Sequence, residues 1–202
     1  MNQNLLKNNY LLVRNFIEKD FAQHLGSKFE EDSILFDSDT QVPGTPSKYN
    51  YPPALELLCN KTGEVSSIVE TPVLPTYTYG RVYKEGDELK IHSDRPECEI
   101  SLTLHLSGDE KWPIYIEKPN GNYASAVLYP GDALVYLGCV AKHGRKMYTG
   151  NKYSQFFLHY VRSDGVYSDR AFDVDTTLGK TRPARREELS MEYKKLRKEN
   201  NL

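Results

Sequence analysis

Within KIHSDRPECEISLTLHLSG, residues 90–108, His92 and Asp94 stand two apart at the head of an alternating segment. Side chains at i and i+2 of a strand project from one face, so an imidazole and a carboxylate point together here while Ser93 turns aside. Such a pair can give two ligands to a divalent metal. The same spacing also arises by chance on many surfaces, where it is a structural pair and nothing more. What separates the two cases is a third ligand from a distant part of the chain. The remaining histidines are His24, His105, His143 and His159. His24 falls on a helical pattern, and His105 lies further along the strand that follows the pair. His143 begins a new strand after LYPGDALVYLGCVAK, and His159 sits near the end of the last strand.

Two imidazoles and one carboxylate leave coordination positions open, which is the arrangement of non-haem iron oxygenases. A structural zinc site is instead closed by four protein ligands, and no fourth is evident in the sequence. The strand after the pair supports an open, polar site. Ile100, Leu102, Leu104 and Leu106 share one face, suited to packing against the rest of the fold. Ser101, Thr103 and His105 share the other, a polar face expected to look inward at a polar ligand.

These groups must be carried by strands, and the chain between 75 and 161 supplies them. Short alternating or β-branched runs are separated by turn signals at 84–86, 107–109, 119–122, 130–132 and 149–151. About eight strands follow: TYTYGRVY, LKIHSD, EISLTLHL, WPIYIE, YASAVLY, ALVYLG, AKHGR and YSQFFLHYV, without intervening helices, as in a jelly roll or barrel. Trp112 and Tyr115 are read as sheet core. Residues 1–70 read as helical and loop cover packed on one sheet. The spacing of Val13, Phe16, Ile17, Phe21 and Leu25 predicts a helix ending near Gly26. VPGTPSKYNYPP reads as loop, and ALELLCNKTGEVSSIV as one or two short helices. Residues 162–202 form a polar extension. RREELSMEYKKLRKEN is read as an exposed helix, and its basic lead, GKTRPARR, as a solvated tail. The whole is expected to be one mainly β domain.

The segment 75–161 resembles the prolyl 4-hydroxylase-like branch of the Fe(II)/2-oxoglutarate dioxygenases. That family's pattern is HxD, a distal His, then Lys or Arg nine or ten residues later. HSD, KHGR and NKYSQFFLHYV match it in order, with Lys152 nine residues past His143, and the turn YPGD before the distal strand is similar too. The resemblance implies a double-stranded β-helix with Fe(II) held by His92, Asp94 and His143. It also implies 2-oxoglutarate and O2 as co-substrates, with ascorbate as an optional auxiliary. Lys152 is then the residue that neutralises the C5 carboxylate of 2-oxoglutarate, with Arg145 as its rival; such a charge-assisted bond is worth about 1.5–3 kcal/mol. Tyr83 and His105 match positions near the co-substrate, although family members often carry a tyrosine where His105 stands. With Lys152 inward, Ser154, Phe156, Leu158 and Tyr160 share its face and His159 points outward, which favours His143 as third ligand.

The implied activity is hydroxylation of a C–H bond, coupled to decarboxylation of 2-oxoglutarate to succinate and CO2. The substrate is a prolyl residue of a peptide or protein, or a small molecule. Asp94 favours hydroxylation, because halogenating members lack that carboxylate. Two rivals are a jelly-roll binding module that keeps the histidines without turnover, and a cupin-type metal enzyme. Arg95 is placed at the mouth, either touching substrate or pairing with Glu97 or Glu99. A net charge of -2 over 202 residues gives no reason to expect nucleic acid or a membrane surface. Three dispersed cysteines without a CxxC pair, and no signal-like or membrane-spanning segment, point to a cytoplasmic location.

Overall fold

The computed structural model describes residues 1–173 and 185–202. Among these residues four α-helices are α1 (Gln3–Asn8), α2 (Lys19–Asp32), α3 (Pro52–Val69) and α4 (Arg186–Glu199). Ten strands are β1 (Tyr10–Val13), β2 (Ser47–Tyr49), β3 (Val73–Lys84), β4 (Leu89–His92), β5 (Ile100–Gly108), β6 (Ile114–Glu117), β7 (Tyr123–Ala126), β8 (Ala133–Tyr136), β9 (His143–Arg145) and β10 (Lys152–Arg162). They form two antiparallel sheets, a major one in the order β1-β8-β5-β10-β3-β2 and a minor one in the order β4-β9-β6-β7. The expected jelly roll is present with its eight strands in sequence, and β1 and β2 extend the major sheet.

Three layers result. On the outer face of the major sheet, Ile100, Leu102, Leu104 and Leu106 of β5 and Phe156, Leu158 and Tyr160 of β10 pack beneath Leu25 and Phe29 of α2 and Leu57, Leu58 and Val65 of α3. Each such leucine, fully buried, contributes about 1.5–3 kcal/mol by leaving water. Between the sheets lie two smaller clusters. Ile114 and Ile116 of β6 meet Leu134 and Tyr136 of β8, and Tyr83, Leu89, Trp112, Tyr148 and Tyr153 close the opposite end. The space between these clusters holds the polar face of β5.

Several local expectations are corrected. The helix expected over 13–26 begins at Lys19, because Val13 pairs with Ala133 in β1 and Asn15 takes a left-handed φ of 50°. It runs past Gly26 to Asp32. Gly26 is a close-approach residue and no helix stop: a Cβ there would lie 2.6 Å from Ser107 Oγ, so its absence lets α2 lie against β5. The proline-rich loop holds β2, and Pro52–Pro53 open α3, where a missing N–H costs nothing. The segment after it is one continuous helix.

The C-terminal helix is less exposed than its composition suggests. Leu189 and Tyr193 are buried, Tyr193 donates to Glu99, and Arg162 joins α4 through Glu192 at 2.8 Å. Arg197 donates to the Leu6 carbonyl and to Asn9. Most of the basic lead GKTRPARR lies outside the described residues, but Arg185 pairs with Asp169 at 3.0 Å. Among the described residues no helix is long and apolar enough to cross a membrane.

Candidate metal centre

His92 ends β4 and His143 opens β9, and the two are directly paired across the minor sheet. Asp94 lies just beyond β4 in the turn toward β5, its N–H held by the Gly138 carbonyl at 2.9 Å. The sheet pairing and the turn bring the three side chains together. Asp94 Oδ1 is 3.4 Å from His92 Nε2 and 3.4 Å from His143 Nε2, and the ring centroids are 4.5 Å apart. One ligand atom from each residue lies within 4.8 Å of the others.

The outer hydrogen bonds fix which atoms face the centre. His92 Nδ1 is 2.8 Å from the Lys90 carbonyl and His143 Nδ1 is 2.9 Å from the Ala141 carbonyl. A carbonyl only accepts, so each Nδ1 carries a proton, and each Nε2 is the ring atom turned toward Asp94, the one a metal would take in exchange for any proton it holds. Asp94 Oδ2 accepts from Ser101 Oγ at 3.0 Å, and Ser101 Oγ is 2.9 Å from His159 Nδ1. Ser101 has one proton to give, so His159 donates to Ser101 and Ser101 to Asp94. Burial opposes ionisation of Asp94, but His143 and His92 outweigh it and hold the carboxyl well below its usual range. Burial lowers His159 to about 4, with Arg95 and His143 acting in the same direction, so its ring is neutral. A second set, Asp94, Cys98 and His159, shares this carboxylate. There the thiol is pushed well up by burial, and the His159 Nδ1 is already committed to Ser101, so it is the poorer ligand set.

The inward orientation expected of Lys152 is corrected. Its side chain is exposed on the outer face of β10 and pairs with Glu30 of α2 at 2.6 Å. Ser154 shares that face and also donates to Glu30. The parity argument, that Lys152 and His159 point to opposite sides, holds with the sides exchanged. Phe156, Leu158 and Tyr160 pack under the helices, while Tyr153, Gln155, Phe157 and His159 face the interior, so His159 points in. The apolar trio belongs under α2 and α3 for the same reason as the leucines of β5.

From the metal end inward, the register sets Ser101 beside His159, Thr103 beside Phe157 and His105 beside Gln155. Two residues past His143 on the same face of β9, Arg145 lies at the far end of this row of side chains, against Gln155. It is 2% exposed, donates to the Trp112 carbonyl and, at 3.1 Å, to Gln155 Oε1, and lies 4.8 Å from the Trp112 ring and 5.0 Å from the Tyr153 ring. No carboxylate pairs with it among the described residues. Arg145 Nε, Gln155 Nε2 and Thr103 Oγ1 have no hydrogen-bond partner within the described protein. Buried polar atoms rarely stay unpaired, and one on this unneutralised cation with two more on β5 and β10 fit an anionic, oxygen-rich ligand. His105 stacks on Tyr153 at 4.2 Å, its pKa lowered to about 3 by burial and then by Arg145. Tyr83 is buried against Trp112, and its hydroxyl is 3.5 Å from Arg81 Nη1.

A cavity of about 280 Å³ opens over the three ligand residues, walled by Tyr77, Tyr79, Phe157 and Arg95. Arg95 lies 4.1 Å from the Tyr77 ring and pairs with Asp173 at 2.9 Å and Glu97 at 3.5 Å. Residues absent from the sequence reasoning also gather here. Arg81 is buried and bound to Asp39, Gln41 reaches His92, and Arg186 of α4 donates to Ser93 Oγ at 2.9 Å and to the Asp94 carbonyl at 2.6 Å. Of these, only Arg81 left a signal, as the charged member of the i, i+2 series Tyr77, Tyr79, Arg81, Tyr83. The other two come from loop 36–46 and the C-terminal helix, whose positions no local pattern encodes.

No protein-family model matches the sequence, and no curated protein matches it. Solved structures do match. A prolyl-4-hydroxylase from Pseudomonas putida superposes with a TM-score of 0.65 at 13% identity, covering 79% of this chain and 95% of that one. HygX from Streptomyces hygroscopicus, solved with nickel and 2-oxoglutarate bound, gives 0.64 at 13% identity over 80% and 85%. SnoK, a non-haem α-ketoglutarate-dependent carbocyclase from nogalamycin biosynthesis, gives 0.67 at 10% identity over 91% and 92%. The chain has the fold that these 2-oxoglutarate oxygenases share.

Proposed function

We propose that this chain is an Fe(II)- and 2-oxoglutarate-dependent oxygenase that hydroxylates a C–H bond. The observation that carries the proposal is the pairing of an open two-histidine, one-carboxylate set with a buried arginine that has no anion of its own. His92, Asp94 and His143 would hold Fe(II), leaving positions free for co-substrate and O2. Iron, 2-oxoglutarate and O2 together supply the oxidising chemistry, with succinate and CO2 released alongside the hydroxylated product. Ser101 and His159 hold Asp94 in place, and the Lys90 and Ala141 carbonyls hold the imidazoles.

Arg145 takes the role that the family pattern gave to Lys152. The positions nine and ten past His143 are Lys152, which points out, and Tyr153, whose inward ring lies against the Arg145 guanidinium. Arg81, buried on β3, is neutralised by Asp39. Thr103, Gln155, Tyr83 and His105 would complete the walls around the dicarboxylate. The carboxylate of Asp94 favours hydroxyl transfer. The mouth, with Tyr77, Tyr79 and Phe157 around Arg95, suits a compact apolar group flanked by a hydrogen-bond acceptor, which a prolyl residue in a peptide provides and a small molecule can also provide. The three free thiols fit a reducing, cytoplasmic setting.

The test is anaerobic titration of the Fe(II)-loaded protein with 2-oxoglutarate, read by the metal-to-ligand absorption band, followed by succinate formation in air. The band should appear in wild type and vanish in Asp94→Ala. Binding without any succinate would instead identify a non-catalytic module.

A further inference from the structure

Residues 36–46 cross the mouth between the single helical turn at Ser33–Leu35 and β2, and Asp39 and Val42 are the anchors that flank Gln41. Asp39 Oδ1 accepts from the N–H groups of Gln41 and Val42 at 2.9 and 3.0 Å, while its Oδ2 accepts from Tyr79 at 2.6 Å and pairs with Arg81. Val42 is buried with Tyr83, Leu89 and Trp112. Between these anchors the Gln41 side chain is aimed inward. Its Oε1 accepts from Arg81 Nη1 at 3.1 Å, and its Nε2 lies 3.1 Å from His92 Nε2.

Arg81 only donates and so fixes Oε1 on its own side; the amide nitrogen that faces His92 Nε2 then donates and the ring accepts. That lone pair is the one His92 would give to a metal, and it cannot serve both. We propose that Gln41 is a positioning residue of the metal site, in a role that rests on the function proposed above. It competes with the metal for His92 Nε2. Once the metal holds that lone pair, the Gln41 amide, kept in place by Arg81 through Oε1, donates to a carboxylate oxygen of 2-oxoglutarate. The loop thus exchanges one acceptor for another as the site loads, and Arg81 matters as the holder of that amide.

The experiment uses untagged, full-length, metal-free protein and calorimetric titration in two steps, first with Ni(II) and then with 2-oxoglutarate on the nickel-loaded form. Gln41→Leu should bind Ni(II) about 2- to 10-fold more tightly, the worth of one neutral hydrogen bond, and 2-oxoglutarate about 2- to 10-fold more weakly. Opposite signs for the two ligands are the signature, because a merely loosened loop would weaken both or neither. Gln41 is exposed, so the variant retains the fold, and Gln41→Asn, too short to span from Arg81 to His92, should show the same pair of signs. Unchanged or weaker nickel binding in both variants overturns the competition, and unchanged 2-oxoglutarate binding overturns the exchange. Wild-type protein that binds Ni(II) without ever binding 2-oxoglutarate would overturn the assigned function and the exchange together, and the nickel comparison would decide the competition separately.

Discussion

Replacing Arg145 by methionine removes the guanidinium but keeps most of the apolar stem that packs on Trp112 and Tyr153. Opposite unit charges about 4 Å apart attract by about 4 kcal/mol at an effective dielectric near 20. Truncating one member of a buried, hydrogen-bonded charge pair costs about 2–5 kcal/mol. Thr103 and Gln155 remain to hold part of the dicarboxylate, so the loss belongs in the middle of that range, about 100- to 1000-fold in the dissociation constant of 2-oxoglutarate. Without ligand, two terms oppose. The variant loses the bonds to the Trp112 carbonyl and Gln155, and it sheds a buried charge that no carboxylate neutralises. The melting temperature of the co-substrate-free protein should therefore change little, while the stabilisation that saturating 2-oxoglutarate gives to nickel-loaded wild type should disappear. Ni(II) affinity should stay within about threefold, since Arg145 touches none of the ligand atoms. Lys152→Ala is the internal control. Its exposed pair with Glu30 is worth about 0–1 kcal/mol, and 2-oxoglutarate affinity should not change. A wild-type-like dissociation constant in Arg145→Met, with a loss in Lys152→Ala, would refute the role given to Arg145.

Gly138→Ala should weaken Ni(II) binding about 10- to 100-fold in calorimetry, because the new methyl would run into Asp94 Oδ2, lie 2.7 Å from Ser101 Oγ and displace the carboxylate from its support. Arg186→Ala should weaken Ni(II) binding severalfold without unfolding the sheets, read by calorimetry beside circular dichroism, because its guanidinium ties α4 to the backbone of the Asp94 turn. His105 is neutral in the fold, with its pKa lowered to about 3, and it protonates near 6.5 when unfolded. Between those values the unfolded chain binds the extra proton, so stability rises with pH through that window and is lost as pH falls, by up to about 1.4 kcal/mol per pH unit. Urea midpoints of metal-free protein between pH 7 and 5 should fall less steeply in His105→Gln than in wild type; His159, lowered to about 4, keeps part of the slope in both.

The strands were legible because each is written twice, once in its alternation and once in its flanking turns. The leucines of β5 alternate with Ser101, Thr103 and His105, and the structure puts them on opposite sides of the major sheet. Elements fixed by partners far away in sequence were not legible. Val13 looks helical beside Phe16 and Ile17 until β8 captures it as a strand. Gly26 looks like a helix end until Ser107 shows why no side chain fits there. The charge-rich α4 looks solvated, yet Tyr193 and Arg197 find partners at Glu99, just before β5, and on α1, nearly two hundred residues earlier in the case of Leu6.

The site divides along the same line. His92 and Asp94 are two residues apart, so their common direction follows from strand geometry alone, and the pairing of β4 with β9 adds His143. The proposed anchor for the co-substrate follows no such local rule, because a charge facing the interior can enter from any strand that lines it. Reading β10 by the position of its lysine put Lys152 inside and therefore Phe156, Leu158 and Tyr160 inside with it. Reading β10 as β5 was read, with the more apolar face toward the helices, turns all four outward and brings Tyr153, Gln155 and His159 in. That inversion costs nothing in sequence information and removes the only basic residue of β10 from the interior apart from Arg162, which Glu99 already holds at 2.6 Å. The remaining buried arginines among the described residues are then Arg81, bound to Asp39, Arg170, bound to Glu97, and Arg145, bound only to uncharged groups. Neutrality therefore selects Arg145: it is the interior arginine for which a dicarboxylate would be the first counter-ion.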